Sequence, residues 1–195
     1  MRLGLARVML YAGAAALLLG ACALGGKTTA APAVFDLGPA LAAERTQAPL
    51  VDLQLTEMSA PPWLATPGIA YRLVYLNEFQ AQFYRDSRWL APPAALLSER
   101  LRQKVAQGGR NAAGRTVALR LELVEFEQRF SSPTQSEVRV SLRARLGEGA
   151  GLTQVFELVK PSPSADAAGA VRAFSEASDQ LLTQVLTWTA LNGKP

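Results

Sequence analysis

The constraint that most narrows what this chain can fold into lies between Val117 and Val159, where the side chains alternate three times over. Val117, Leu119, Leu121 and Leu123 alternate with Ala118, Arg120 and Glu122, the two-residue period of a strand that buries one face. After Leu123 the phase flips, because Val124, Phe126 and Phe130 become the apolar positions. A slip of one residue exchanges the two faces of a strand, so a bulge near 123–124 is the economical explanation. Ser131-Ser132-Pro133-Thr134 makes a turn, and Val138, Val140, Leu142, Ala144 and Leu146 then alternate with Arg139, Ser141, Arg143 and Arg145. A second turn over Gly147–Gly151 leads into a third strand over 152–159, which gives a meander.

The rest of the body is read around that meander. Val34 to Gly38 predicts a short strand, and the alternation of Val51, Leu53 and Leu55 predicts a second. Pro61-Pro62 stops the second, and Trp63-Leu64 are expected to pack in the core. Tyr71, Leu73 and Tyr75 predict a third strand over roughly 69–76, with a short piece around Gln82–Arg85 as its hairpin partner. The Ala-rich segment 40–49 reads as either loop or short helix. Pro92-Pro93 opens a helix whose buried stripe is Leu97, Leu101 and Val105, and Gly108-Gly109 ends it. Pro161-Ser162-Pro163-Ser164 breaks the strand pattern, Ser164 or Asp166 caps the last helix, and Val171, Phe174, Leu181, Leu182, Val185 and Trp188 form its apolar face. The order is β-β-β-α-β-β-β-α, with no internal repeat and no second domain. Each helix has one apolar stripe, so both cover a shared sheet, on one face or on both.

Ahead of this body stands a different kind of segment. Arg2 and Arg7 flank and precede an apolar run from Val8 to Leu19, which ends in Leu19-Gly20-Ala21-Cys22. A basic start, a dozen or so apolar residues and small residues at the cut read as a secretory signal. The run falls short of the roughly 20 residues that span a bilayer, which argues against an uncleaved anchor. With Leu, Gly and Ala before the chain's one cysteine, the segment resembles a bacterial lipobox rather than an ordinary signal with a chance Cys. That resemblance implies cleavage between Ala21 and Cys22, diacylglycerol on the Cys22 thiol and acylation of the new amino group. It divides the chain into a signal peptide (1–21), a lipidated tether (22–33) and a folded domain (34–192). The eleven residues after Cys22, ALGGKTTAAPA, are small and polar and reach at most about 35–40 Å when extended.

Composition narrows the chemistry further. Loss of the signal removes two arginines, leaving 18 basic and 16 acidic residues in 174. The near balance is no evidence for a nucleic-acid partner, which would need a clustered basic face. The chain has no histidine, hence neither the commonest general base nor the commonest metal ligand. With Cys22 lipidated, no thiol is left for a disulfide, a nucleophile or a metal site. The sequence therefore predicts no catalytic residues, no metal and no cofactor beyond the covalent lipid. Gly147–Gly151 is glycine-rich but lacks the Lys-Ser/Thr ending of a phosphate loop and reads as a turn. Lys27, Lys104, Lys160 and Lys194 are spread over tether, helix end, strand end and tail, and nothing in the sequence places one beside a serine.

Three stretches carry a resemblance to a known family. Ile69-Ala70-Tyr71-Arg72-Leu73 is followed by Arg88-Trp89-Leu90-Ala91-Pro92-Pro93 and a Leu-rich helix; then come Leu123-Val124-Glu125-Phe126-Glu127-Gln128-Arg129-Phe130-Ser131-Ser132-Pro133 and, opening the last helix, the segment 161–169. In this order, behind a lipobox, they are similar to the ABC-type transport auxiliary lipoproteins, the PqiC-like lipoproteins of Gram-negative bacteria. The resemblance implies an α/β fold, a single domain with a mixed, largely antiparallel sheet packed by two main helices, at the periplasmic face of the outer membrane. Ala23 agrees with that address, since in many Gram-negative bacteria an Asp after the lipidated Cys retains lipoproteins in the inner membrane. The implied partners are an MCE-domain periplasmic protein with its ABC permease and ATPase, the implied task is accessory to lipid movement between membranes, and self-association is left open. The family brings no catalytic residues.

Among the other residues, Tyr71, Trp89 and Phe126 either fill the core or meet a partner. Arg139, Arg143 and Arg145 share a strand face and either contact an anionic headgroup or acidic partner, or are simply solvated. Three classes of function stand against one another: an accessory subunit of a lipid transporter, a structural lipoprotein of another outer-membrane assembly or integrity complex, and a periplasmic enzyme.

Overall fold

A computed structural model describes residues 31–39, 52–107, 116–147 and 151–193. Among them, β1 (Ala33–Phe35), β2 (Asp52–Leu55), β3 (Gly68–Leu73), β4 (Ala81–Trp89), β5 (Thr116–Ser132), β6 (Gln135–Leu146) and β7 (Leu152–Pro161) form one sheet. Helix α1 (Pro93–Gln107) follows β4, and α2 (Ala167–Asn192) follows β7. The path through the sheet is β1-β4-β3-β5-β6-β7, with β2 also paired to β5. Pairings β3–β4, β5–β6 and β6–β7 are antiparallel, whereas β1–β4, β2–β5 and β3–β5 are parallel. The fold is thus α/β, a single domain on a mixed sheet. The residues read as signal, Cys22 and most of the tether, the segment 40–51, the Gly108-Gly109 stop with the residues up to 115, and the middle of the second meander turn lie outside the described residues.

The phase flip in β5 is a bulge. Leu123 pairs with Leu142 and Glu125 with Ser141, so Val124 is the additional residue. The consequence is that Leu119, Leu121 and Leu123 before it, and Phe126, Gln128 and Phe130 after it, are all buried. Without the bulge the second set would face solvent. The chain from Asp52 to Leu73 runs beside β5 for most of its length: β2 pairs at 116–119, Ser59 bridges to Glu122, and β3 pairs at 128–130. Between them Pro61 and Pro62, which have no N–H to give a ladder, divert the chain into a 3-10 turn, Pro62–Leu64.

Two expectations for this half need correction. Leu64 is buried but Trp63 is 41% exposed, because neighbouring side chains on a 3-10 turn point about a third of a turn apart and one of them faces the sheet. The third strand ends at Leu73, and Tyr75 stands exposed in the turn beyond it. The hairpin partner around Gln82–Arg85 is a nine-residue strand, β4.

Both helices contribute to one core with the inner face of the meander. Its centre is aromatic: Phe126 stacks on Phe174 at 4.1 Å between centroids, and Trp89 stands 5.7 Å from each. Ala170, Ala173 and Ala177 of α2 are fully buried, small enough to bring the helix down onto the sheet. Trp89 and Phe126 are therefore core residues. Tyr71 packs on Tyr84 at 4.7 Å and donates to Gln82, a packing role as well.

Gln128 is wholly buried among these apolar groups, and its amide is fixed by Tyr84 Oη, which donates to its Oε1, and by Ser136 Oγ, which accepts from Nε2. Burial pushes the Tyr84 phenol well above its ordinary pKa, so it stays a donor at any physiological pH.

Helix α2 starts at Asp166, whose carboxylate accepts from the Gly169 N–H at 2.7 Å and from Ser164 Oγ at 2.8 Å. A Cβ at Gly169 would run into Ser164. The backbone hydrogen bond from Gly169, then that from Ser164, holds the Asp166 pKa below the usual carboxylate value. A depressed folded-state pKa means that this cap stabilises the fold above the unfolded carboxylate's pKa, and that the contribution fades as pH falls through the folded value. Asp166→Ala should cost about 1 kcal/mol at neutral pH. In urea unfolding the gap between variant and native should shrink in acid.

Candidate interaction surface

The face of the meander turned away from the helices carries the side chains that the sequence alternation left over. On β5 these are Arg120, Glu122, Glu125, Glu127 and Arg129; on β6, Glu137, Arg139, Ser141, Arg143 and Arg145; on β7, Thr153, Val155, Glu157 and Val159. Register decides which charges meet. Arg143 lies opposite Glu122 and binds its carboxylate at 2.5 Å. Arg139, opposite Glu127, pairs within its own strand with Glu137 at 3.2 Å. Arg72 of β3 reaches across to Glu127 with two nitrogens, each at 3.0 Å, and this hydrogen-bonded pairing raises the guanidinium's pKa. Glu125 sits among these groups with its pKa raised, first by burial and then by Glu127, against the opposing pull of Arg139 and Arg129.

Most of this face is therefore a lattice of compensated charges. The exposed pairs, Arg143–Glu122 and Arg139–Glu137, are worth about 0–1 kcal/mol each and neutralise the face more than they hold it together, whereas the Glu127 carboxylate held by Arg72 is buried. The exception is at its far end. Arg145 lies directly opposite Arg120 in the β5–β6 register, both are exposed, and among the described residues no carboxylate pairs with either. Like charges in that arrangement are mildly destabilising. Beside them on β7 stand Thr153 and Val155, the latter 44% exposed.

The three arginines singled out from the sequence thus share one face but differ in state: Arg139 and Arg143 have carboxylate neighbours in the sheet, and Arg145 shares its place with a second arginine. Sequence reasoning did not single out Arg120, because its relation to Arg145 exists only through the register of the hairpin. Cys22 and Ala21 lie outside the described residues.

A second feature was also missed. Arg100 and Lys104 on α1 both meet Asp179 on α2, at 3.1 and 3.2 Å, with all three side chains buried. Arg100 Nη2 donates to the carbonyls of Leu37 and Gly38 as well, and Ser175 Oγ donates to Leu37. These bonds bring the segment after β1 against both helices. Beside it, an open groove of about 520 Å³ is lined by Phe35, Leu37, Leu90, Val171 and Glu176 among others. Lys104 thus belongs to a structural ion cluster, and Lys160 pairs with Glu176. Among the described residues no helix is long and apolar enough to cross a membrane.

The fold is a seven-stranded mixed sheet with helices gathered over a common core and a charged face opposite. Residues 35–186 match the sequence model of the ABC-type transport auxiliary lipoprotein component. The chain belongs to that family. The family is one of auxiliary lipoprotein components of ABC-type transport.

Solved structures share the fold. A crystal structure of a Xanthomonas campestris protein superposes with a TM-score of 0.67 at 21% identity, covering 84% of this chain and 93% of its own. A second crystal structure, of a protein described as uncharacterized, gives 0.58 at 13% identity, covering 80% of this chain and 97% of its own. No curated protein matches the chain.

Proposed function

We propose that this protein is an accessory lipoprotein held by the lipid on Cys22 at the periplasmic face of the outer membrane, where it acts by binding an MCE-domain protein and its ABC permease and ATPase during lipid movement between membranes. The observation that carries the reading is the division of the sheet. One face is buried under the helices, and the other displays an ordered charge lattice that ends in the uncompensated pair Arg120 and Arg145. A fold that keeps two arginines opposite one another has a use for an acidic group brought from outside. The tether supports the same reading, because eleven residues allow the body to stand off the membrane by up to about 35–40 Å. Binding is also what the residue inventory supports, since the chain has no histidine and its one thiol is assigned to the lipid.

Density-gradient fractionation of membranes tests the address. The native protein should travel with outer-membrane markers, and Ala23→Asp should shift it to the inner membrane. Native protein in the inner-membrane fractions would contradict the proposal.

A further inference from the structure

The β3–β4 hairpin ends in a tip unlike the other turns of the sheet. Tyr75, Leu76 and Phe79 stand there 40%, 71% and 87% exposed. A single exposed apolar residue is ordinary, but three within five residues at one projecting turn form a patch.

The tip's backbone is well supplied from within. The N–H groups of Leu76 and Asn77 donate to the Leu73 carbonyl, that of Gln80 to the Asn77 carbonyl, and that of Phe79 to Asn77 Oδ1. Arg72 Nη1 donates to the Glu78 carbonyl at 2.8 Å while the same guanidinium holds Glu127. Each backbone group paired within the turn lowers the penalty of entering an apolar medium, and the groups left unpaired keep the tip at the hydrated boundary of the bilayer. The exposed set, one tyrosine with a leucine and a phenylalanine, suits the boundary between headgroups and acyl chains. Glu78 is the tip's one charge and limits the depth to that boundary.

The topology brings this tip to the end of the sheet from which the chain arrives. β1 runs parallel to β4 with Ala33 opposite Ser87, so the chain comes into β1 from the side on which β4 begins, and β4 begins directly after the tip. Ser87 to Ala81 is about 20 Å at 3.3 Å per residue, against about 35–40 Å of tether between Cys22 and Ala33. The other turns at that end, Ser131–Thr134 and Ser162–Ala165, contain no charged residue. From these observations we infer that the β3–β4 tip is a second membrane contact, in which Leu76 and Phe79 dip into the lipid surface that holds the acyl chains of Cys22. The inference rests on the lipid-anchor part of the proposed function. It fixes the orientation of the body: the hairpin tip faces the membrane, and Arg120 and Arg145, at the opposite end of the β5–β6 ladder, face away from it.

The test uses full-length acylated protein in vesicles of phosphatidylethanolamine and phosphatidylglycerol, part of the lipid being brominated on its acyl chains. Because Cys22 carries the lipid, Leu76→Cys and Thr153→Cys each offer one thiol for a bimane label. The label at position 76 should be quenched several-fold more than that at 153, and Phe79→Glu should relieve the quenching at 76. Equal quenching at the two positions, or quenching at 76 that Phe79→Glu leaves unchanged, would overturn the inference. Flotation of the same samples separates the two claims. Protein that floats with its label at 76 in water keeps the anchor and loses the contact, whereas protein that does not float loses both.

Discussion

Asp179→Ala is expected to destabilise the domain by about 3–5 kcal/mol, the range for removing one partner of a buried ion pair. The size follows from what stays behind. Arg100 and Lys104 are 3% and 4% exposed, and their ammonium and guanidinium groups both face the Asp179 carboxylate. Without it two buried cations, one turn apart on α1, face α2 with no counter-charge from Asp179. Arg100 keeps the carbonyls of Leu37 and Gly38, which satisfies some of its donors but none of its charge. Urea unfolding should show a lower midpoint with an unchanged slope, since the surface exposed on unfolding is the same. Adding Lys104→Met to Asp179→Ala should return part of the loss, because residues in one network do not act additively. A loss under about 1 kcal/mol for Asp179→Ala would mean that water reaches the cluster.

Cys22→Ser has the larger consequence in the cell. If Cys22 is lipidated as proposed, a hydroxyl does not replace its thiol, so the variant should lose all fatty-acid label and accumulate as uncleaved precursor at the inner membrane. Undiminished label in the serine variant would remove the lipobox reading and with it the tether.

These two residues also mark how far the sequence could be read. The proposal for Cys22 rests on local chemistry alone, a dozen apolar residues, three small ones and a thiol, and involves no fold. Asp179 was not legible in the sequence, since its partners lie on another helix, 75 and 79 positions away, and an aspartate on a helix reads as surface until that helix is placed. The meander was legible down to its bulge, because burial of one face imposes a period and the bulge is the one local device that shifts it. β1 and β2 were legible as strands but not in their parallel pairings, which depend on where distant segments return. Tyr75 and Trp63 continued an apolar pattern past a turn, where tertiary geometry overrides period. On the outer face, the arginines announced a polar surface. Their division into compensated and uncompensated charges needed a register that depends on two irregularities in β5, at Leu123/Glu125 and at Phe130/Ser132. The second of these left no mark in the hydrophobic pattern.

The central claim is that the uncovered sheet face captures a component of a lipid-transport system. Photo-crosslinking in cells reads it directly, with a photoreactive amino acid at Arg145 or Thr153 beside the uncompensated arginines and a control on the buried side of the body. The account predicts that an MCE-domain protein is recovered from the face positions and not from the control. Recovery of unrelated outer-membrane assembly factors alone would contradict it and favour a structural lipoprotein of a different complex.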